Sequence, residues 1–482
     1  MTVLSCPSLF TVNDLGDMPD ANPGDTVCAD ANGKCTLRAA IQEANAITPC
    51  SPLTINFSVT GTINLATALP DLNHPNLTIN GPGANQLDVH RNAVTPFRIF
   101  TINSGKTVGL NGLTISNGDA GTGAWGGGII SSGILSINNC EIRGNHADNG
   151  GGLSIIGGQV TISDSTVSGN TTTFQGAGID DIAGADLTLI NTTISGNTAG
   201  TTPGGIRIIG GGTLTLVNCT VTNNTSLTNF TGGVGTNTSS VTRLRNTIVA
   251  NNVGADLRNS GGTVTSLGNN LTSDNGGGFL TAAGDLINTN PLLATLGNYG
   301  GPTQTHRPLP GSSAINAGNN CVLTANGCGD NNPALTTDQR GAGFNRQVGG
   351  TVDIGAVEVN YALAATSGMP QSTTVNTAFT NPLVATLTES GNPVSGVLLT
   401  FTAPGSGPSA TFPGGNTATT NASGQASVNV AANTISGSAY TVTANTTPGL
   451  ATPASFRLIF RLDRGQFSRS ILGVSPCSPC RR

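Results

Sequence analysis

From about Leu110 to Asn252 the apolar and polar positions follow two periods at once. Within a short segment they alternate every second residue, as in Leu187 and Leu189 or Leu214 and Leu216, the pattern of a half-buried strand. Between segments the whole motif returns: LSINNCEIRGN (135–145), VTISDSTVSGN (160–170), LTLINTTISGN (187–197), LTLVNCTVTNN (214–224) and LRNTIVANN (244–252). The closing residues Asn145, Asn170, Asn197, Asn224 and Asn252 lie 25, 27, 27 and 28 residues apart, and the inner column Asn139, Asp164, Asn191, Asn218 and Asn246 keeps the same intervals. A glycine followed by an aliphatic precedes each copy: Gly128-Ile129, Gly152-Leu153, Gly178-Ile179, Gly205-Ile206 and Gly233-Val234. A fixed repeat of this length predicts a solenoid.

Threonine, isoleucine and valine dominate the copies, while alanine, glutamate and lysine are scarce, which favours strands over helical repeats. A leucine-rich repeat would need a shorter period and a stricter template. The expected fold is all-β: a right-handed parallel β-helix over residues 51–290, its coils about 4.8 Å apart. The column Asn139, Asp164, Asn191, Asn218 and Asn246 is expected to be a structural ladder at a bend, its side chains stacking from coil to coil. Upstream, LTINF, GTINL, NLTING, FRIFTI and TVGLNG belong to the same solenoid. Residues 84–96 read there as a loop between coils, with His74 and His90 exposed near such loops. Leu37, Ala40, Ile41 and Ala44 have helical spacing, predicting a helix over Leu37–Ala46 that caps the open end of the solenoid.

Only 9% of residues are charged and 4% are aromatic, with one tryptophan, so an exposed sugar-stacking platform is not expected. Net charge is −5 and no basic patch precedes the last 26 residues, which argues against nucleic acid as a partner. No apolar run is long enough for a transmembrane segment. Cys28 with Cys35, and Cys321 with Cys328, read as two local disulfides and hence an oxidising compartment; metal is the rival, though neither pair has the second pair a zinc site needs. Cys140 and Cys219 share a column three coils apart, beyond disulfide reach, and are expected to be buried thiols. Asp14, Asp17, Asp20 and Asp25 crowd a Gly/Pro/Asn-rich segment and are a candidate calcium set, with a solvated acidic turn as the alternative; no other cofactor is expected. The opening residues MTVLSCPSLFTV lack a secretion signal, suggesting a misplaced or incomplete start.

Residues 11–50, with Cys35-Thr36-Leu37-Arg38-Ala39, resemble the N-terminal CSLREX-type domain of bacterial surface β-helix proteins. Thr36 replaces that motif's serine and Ala39 its glutamate. Residues 291–360 contain Asn298-Tyr299-Gly300-Gly301-Pro302-Thr303, Asp338-Gln339-Arg340-Gly341 and Asp353-Ile354-Gly355-Ala356 and resemble the choice-of-anchor Q region. Asn316 stands where that family often has aspartate. The polar group His306, Asp338, Arg340, Arg346, Asp353 and Glu358 is read as a cap sealing the last coil. Residues 363–460 have period-two runs between Gly, Pro and Asn turns, the spacing of a β-sandwich, and resemble a bacterial Ig-like domain of the invasin and intimin type, a stalk module. Residues 461–482, ending CSPCRR, are expected to be an unstructured or aberrant tail.

Glycoside hydrolysis needs two facing carboxylates. Aligning the coil acids from Asp119 onward puts no two in one column of adjacent coils. The remaining catalytic candidates are Asp180, Asp186 and Arg207, with Asp180 and Arg207 expected to form a surface ion pair. The expectation is therefore a secreted bacterial cell-surface protein, more adhesin than enzyme, whose partner is an extracellular polysaccharide or a host or neighbouring cell surface. The alternative is a polysaccharide lyase or glycoside hydrolase of the β-helix type.

Overall fold

The computed structural model describes residues 6–48, 50–329, 333–447, 450 and 452–461; the expectation for residues 461–482 lies almost wholly outside these. The chain divides into two compact units, residues 1–359 and 360–482.

The first unit is a parallel β-solenoid. A typical coil runs through Ile134–Asn138, bends at Asn139, continues through Glu141–Arg143 and His146–Asn149, and returns through Leu153–Ile155. Stacked coils give a ten-stranded, a nine-stranded, a short four-stranded and a seven-stranded sheet. The register follows the repeat: Leu135 pairs with Val160, Val160 with Leu187 and Leu187 with Leu214. These aliphatics, with Ile142, Val167, Ile194 and Val221, fill the interior as one core. The glycines before each copy are required by close approach. A Cβ on Gly152 would meet the Gly178 carbonyl oxygen at 2.6 Å, and one on Gly178 would meet Gly205 at the same distance.

The two asparagine columns have different jobs. The inner column, Asn139, Asp164, Asn191, Asn218 and Asn246, holds φ between 46° and 51°, the left-handed conformation that asparagine tolerates better than other residues with a Cβ. Its side chains link only in part, Asn191 Nδ2 donating to Asp164 Oδ1 at 3.1 Å and Asn246 Nδ2 to Asn218 Oδ1 at 3.3 Å. The unbroken ladder is the closing column. Asn145, Asn170, Asn197 and Asn224 each donate Nδ2 to the next coil's Oδ1, at 3.0, 2.9, 2.8 and 3.0 Å. Each also takes up a backbone amide or carbonyl inside the bend, so a buried turn keeps its polar groups satisfied. Amide stacking from coil to coil is thus continuous in this column and partial in the inner one.

The helix forms over Leu37–Ala46, with Thr36 Oγ1 accepting from Ala39 N at 3.0 Å as its N-cap. Leu37, Ala40, Ile41 and Ala44 join the solenoid core. Arg38 is held by Asp17 at 2.9 Å and by the Thr67 and Ala68 carbonyls. Disulfides Cys28–Cys35 and Cys321–Cys328 are present, with a third, Cys6–Cys50, that closes a separation of 44 residues. Cys140 and Cys219 are buried free thiols, pushed up to about 12 by burial. His74 is buried between the Cys50 and Asn76 carbonyls, a correction to its expected exposure. Residues 84–96 also differ from expectation, because they contain the strand Leu87–Arg91.

The stretch from 291 to 359 packs Ala314 and Ile354 against Leu271 in the last strand of the nine-stranded sheet. It turns back along the outside of the nine-stranded sheet, bonding residues from Glu141 to Asn246. The second unit, by itself, consists of mainly antiparallel sheets resembling a β-sandwich around Leu383, Leu387, Leu399, Phe401, Val442 and Phe456.

Candidate functional site

In the short strands of the nine-stranded sheet the middle residue faces the core and its two neighbours face out. Stacking therefore builds two outward columns. One runs Thr62, Asp88, Thr114, Glu141, Thr166, Thr193, Thr220. The other runs Asn64, His90, Ser116, Arg143, Ser168, Ser195, Thr222.

From Thr166 onward the first column is covered. Gln339 lies across it, its Oε1 accepting from Thr193 Oγ1 at 2.5 Å and its Nε2 donating to Thr166 Oγ1 at 2.9 Å. Ser195 Oγ lies 2.7 Å from His306 Nε2, and Thr220 Oγ1 accepts from Ala356 N at 3.0 Å. His306, with its other nitrogen 2.7 Å from the Ala294 carbonyl, is driven down in pKa by burial; neutral and enclosed, it is a packing residue. Behind it Arg346, Asp353 and Glu358 form a buried charged group. Arg346 donates to the Asp353 carbonyl at 2.9 Å and contacts Glu358 at 3.4 Å. Burial raises both carboxyls; Asp353 adds to the rise of Glu358, and Asp338 to that of Asp353.

Before Thr166 the same face is open. Two adjoining depressions of about 600 and about 420 Å³ share Thr62, Asp88 and Arg143. His90 Nδ1 lies 2.9 Å from Ser116 Oγ, which donates to Asp88 Oδ1 at 2.6 Å. Arg143 Nη2 donates to Asp88 Oδ2 at 2.9 Å, and its Nε lies 3.6 Å from Glu141 Oε2. Glu141 Oε1 accepts from Gln304 N at 2.6 Å. Burial pushes the Glu141 carboxyl above the ordinary glutamate range, and the nearby Asp88 adds to this. Two acids thus share one column with Thr114 between them. Both reach one guanidinium, Asp88 at Nη2 and Glu141 at Nε.

The acids named from sequence are placed differently. Asp180 and Arg207 are paired at 2.5 Å as the register predicts, but Asp180 is fully buried rather than at the surface, and burial raises its carboxyl. Asp186 is on the ten-stranded sheet, so the three do not assemble. Asp14, Asp17, Asp20 and Asp25 are not gathered either. Asp17 is taken by Arg38, and the others cap local turns at Gly16, Asn22 and Val27. Among the described residues no group of three or more His, Cys, Asp or Glu could hold a metal.

A search of curated proteins finds no match. Among solved structures, the chain is similar to the crystal structure of pectate lyase Pel9A at 14% identity and a TM-score of 0.37, covering 73% of this chain and 97% of that one. The expectation that this chain is more adhesin than enzyme is corrected on the site itself, where Asp88 and Glu141, two coils apart in one column, both reach Arg143. That pair lies outside the sequence argument, which weighed only adjacent coils and the acids from Asp119 onward. Residues 125–290 match the family described as right handed beta helix region, and the first unit is a right-handed parallel β-helix.

Proposed function

We propose that the open groove hydrolyses glycosidic bonds in an extended polysaccharide. The observation that carries this is the pairing of Asp88 and Glu141 across Arg143 on an open face, with unequal environments. Two carboxyls whose surroundings push them apart divide the labour of acid and base. Glu141, the more buried and raised in pKa by that burial, donates a proton to the leaving oxygen. Asp88, tied to Ser116 and Arg143, draws a proton from the attacking water. Arg143 holds both carboxylates, and His90 with Asn64 lines the floor for sugar hydroxyls.

An extracellular bacterial setting is supported by three disulfides and by the CSLREX-like and choice-of-anchor-like resemblances at either end of the solenoid. The Ig-like resemblance of the second unit supports a stalk. Among the described residues no helix is long and apolar enough to cross a membrane.

The test is incubation of the full chain with neutral and acidic polysaccharides, with and without calcium, following reducing ends and unsaturated products. New reducing ends without unsaturation are expected. Glu141→Gln and Asp88→Asn should each lower the rate at least about 100-fold. The rate should fall as pH rises through the raised Glu141 pKa, because the acid must be protonated. Unsaturated products would replace hydrolysis by elimination, and no cleavage of any polymer would overturn the reading.

A further inference from the structure

The exposed aromatics of the solenoid are ordered. Trp125, Phe174 and Phe230 are 41%, 48% and 45% exposed, and all stand on one edge, between the short four-stranded and the seven-stranded sheets. Trp125 pairs with Asn149 of the next coil, and Asn149 with Gln175, beside Phe174, in the coil after. The Phe174 carbonyl accepts from Thr201 N at 2.8 Å, and Thr202 Oγ1 donates to the Thr231 carbonyl, beside Phe230, at 3.2 Å. A ring therefore occupies every second coil, with Asn149 and Thr201 in the coils between. Two strand spacings put successive rings about 9.6 Å apart along the axis.

Polar groups accompany the rings. Asn149 Oδ1 accepts from Gln175 N at 3.2 Å, which leaves the Asn149 amide nitrogen directed elsewhere. The Arg258 guanidinium carbon lies 3.3 Å from the Phe230 ring centroid, and its buried Nε has no hydrogen-bond partner. A depression of about 100 Å³ there is lined by Gln175, Thr202, Phe230 and Arg258. Neither sign of charge dominates the strip, since Asp148, whose carboxylate accepts from Gly123 N at 2.7 Å, stands near the Trp125 end.

These features fit a sugar polymer in a particular conformation. In a fully extended chain of equatorially linked pyranoses each sugar is turned over relative to the last. The same apolar face then recurs every second sugar, at close to the two-coil interval. A chain with a three-fold twist presents its faces out of step with the rings. We propose that Trp125, Phe174 and Phe230 form a second carbohydrate track that binds a neutral, extended β-1,4-linked glucan. Alternate sugars stack on the three rings, and edge hydroxyls bond Gln175 and the Arg258 guanidinium. The track lies on a different face from Asp88 and Glu141 and does not depend on their chemistry.

Trp125 is the sole tryptophan of the chain, so its fluorescence reports on this edge directly. The full chain carrying Asp88→Asn and Glu141→Gln, which cannot consume the probe, is titrated with cellohexaose, with calorimetry in parallel. A saturable change in Trp125 emission is expected. Adding Phe174→Ala and Phe230→Ala should weaken binding at least about tenfold with the thermal midpoint unchanged, and Arg258→Ala alone should weaken it by a smaller factor. Arg258→Ala keeps the test decisive should the double aromatic variant fail to fold. Absent cellohexaose binding, unchanged affinity in the variants, or tighter binding of an α-1,4-galacturonate oligomer would each overturn the proposal. Loss of polysaccharide cleavage with this binding intact would count against the groove alone.

Discussion

One face of the nine-stranded sheet is used in two ways along its length. In the coils of Asp88 to Arg143 it is open and carries acids, a histidine and an arginine. In the coils of Thr166 to Thr222 it carries only hydroxyls, buried under the returning segment 291–359. The difference follows from what each half must satisfy. A hydroxyl is cheap to bury when it meets a Gln339 amide or a backbone group, whereas an ionised carboxylate is costly to desolvate without full pairing. On the sheet's own outward columns, charge therefore collects in the half that water can reach. Glu141 stands at the border, one oxygen on Gln304 and one toward Arg143, and its raised pKa is a consequence of that position.

The sharpest way to break the comparison is to unlatch the covered half. Arg346→Ala strands Glu358 and Asp353 without their cation, which should cost about 3–5 kcal/mol. Thermal unfolding would show the loss, and limited proteolysis should cut first within 291–359. Asn197→Ala should cost about 3 kcal/mol by leaving Asn170 N and the Val167 carbonyl unpaired in the buried ladder. Asn139→Ala, at a left-handed bend on the open half, should cost about 1 kcal/mol, and denaturant titration separates the two. Thr193→Val, removing a hydroxyl from under Gln339, should cost about 1–2 kcal/mol. The same change at Thr62 in the open column should stay within about 0.5 kcal/mol.

The pH dependence tests the same burial. Asp164 is raised from 3.8 to about 6 by burial, and Asp181 likewise. A carboxyl raised in the folded state binds its proton more tightly there than when unfolded. Its contribution is present in full below about pH 4 and lost as pH rises through about 6. Asp353 and Glu358 shift in the same direction. The thermal midpoint should therefore be higher at pH 5 than at pH 8, and Asp164→Asn should flatten the profile. A midpoint that rises with pH would contradict the burial argument.

The repeat announced itself where each coil closes with an asparagine, because a stacked amide demands the same residue at the same place in every coil. That marker stops at Gly118, whose amide N is the last to bond the ladder, on Asn145 Oδ1 at 2.8 Å. Upstream of it the columns continue without the marker, so the strand Leu87–Arg91 read as a loop, and Asp88 and His90 were lost from the alignment. Exposed aromatics were discounted on their low overall number, although three of them fall in step.

Strand alternation, the 25–28-residue period, the capping helix and the two short-range disulfides were determined by local sequence, since each depends on residues a few positions apart or one repeat apart. Tertiary structure alone decided the Cys6–Cys50 bridge, the return of 291–359 over the hydroxyl half, and the meeting of Asp88 with Glu141. Those contacts join segments that are distant in the chain or lack the repeat's marker residue. Their energy comes from burying groups that no local pattern requires to be near each other.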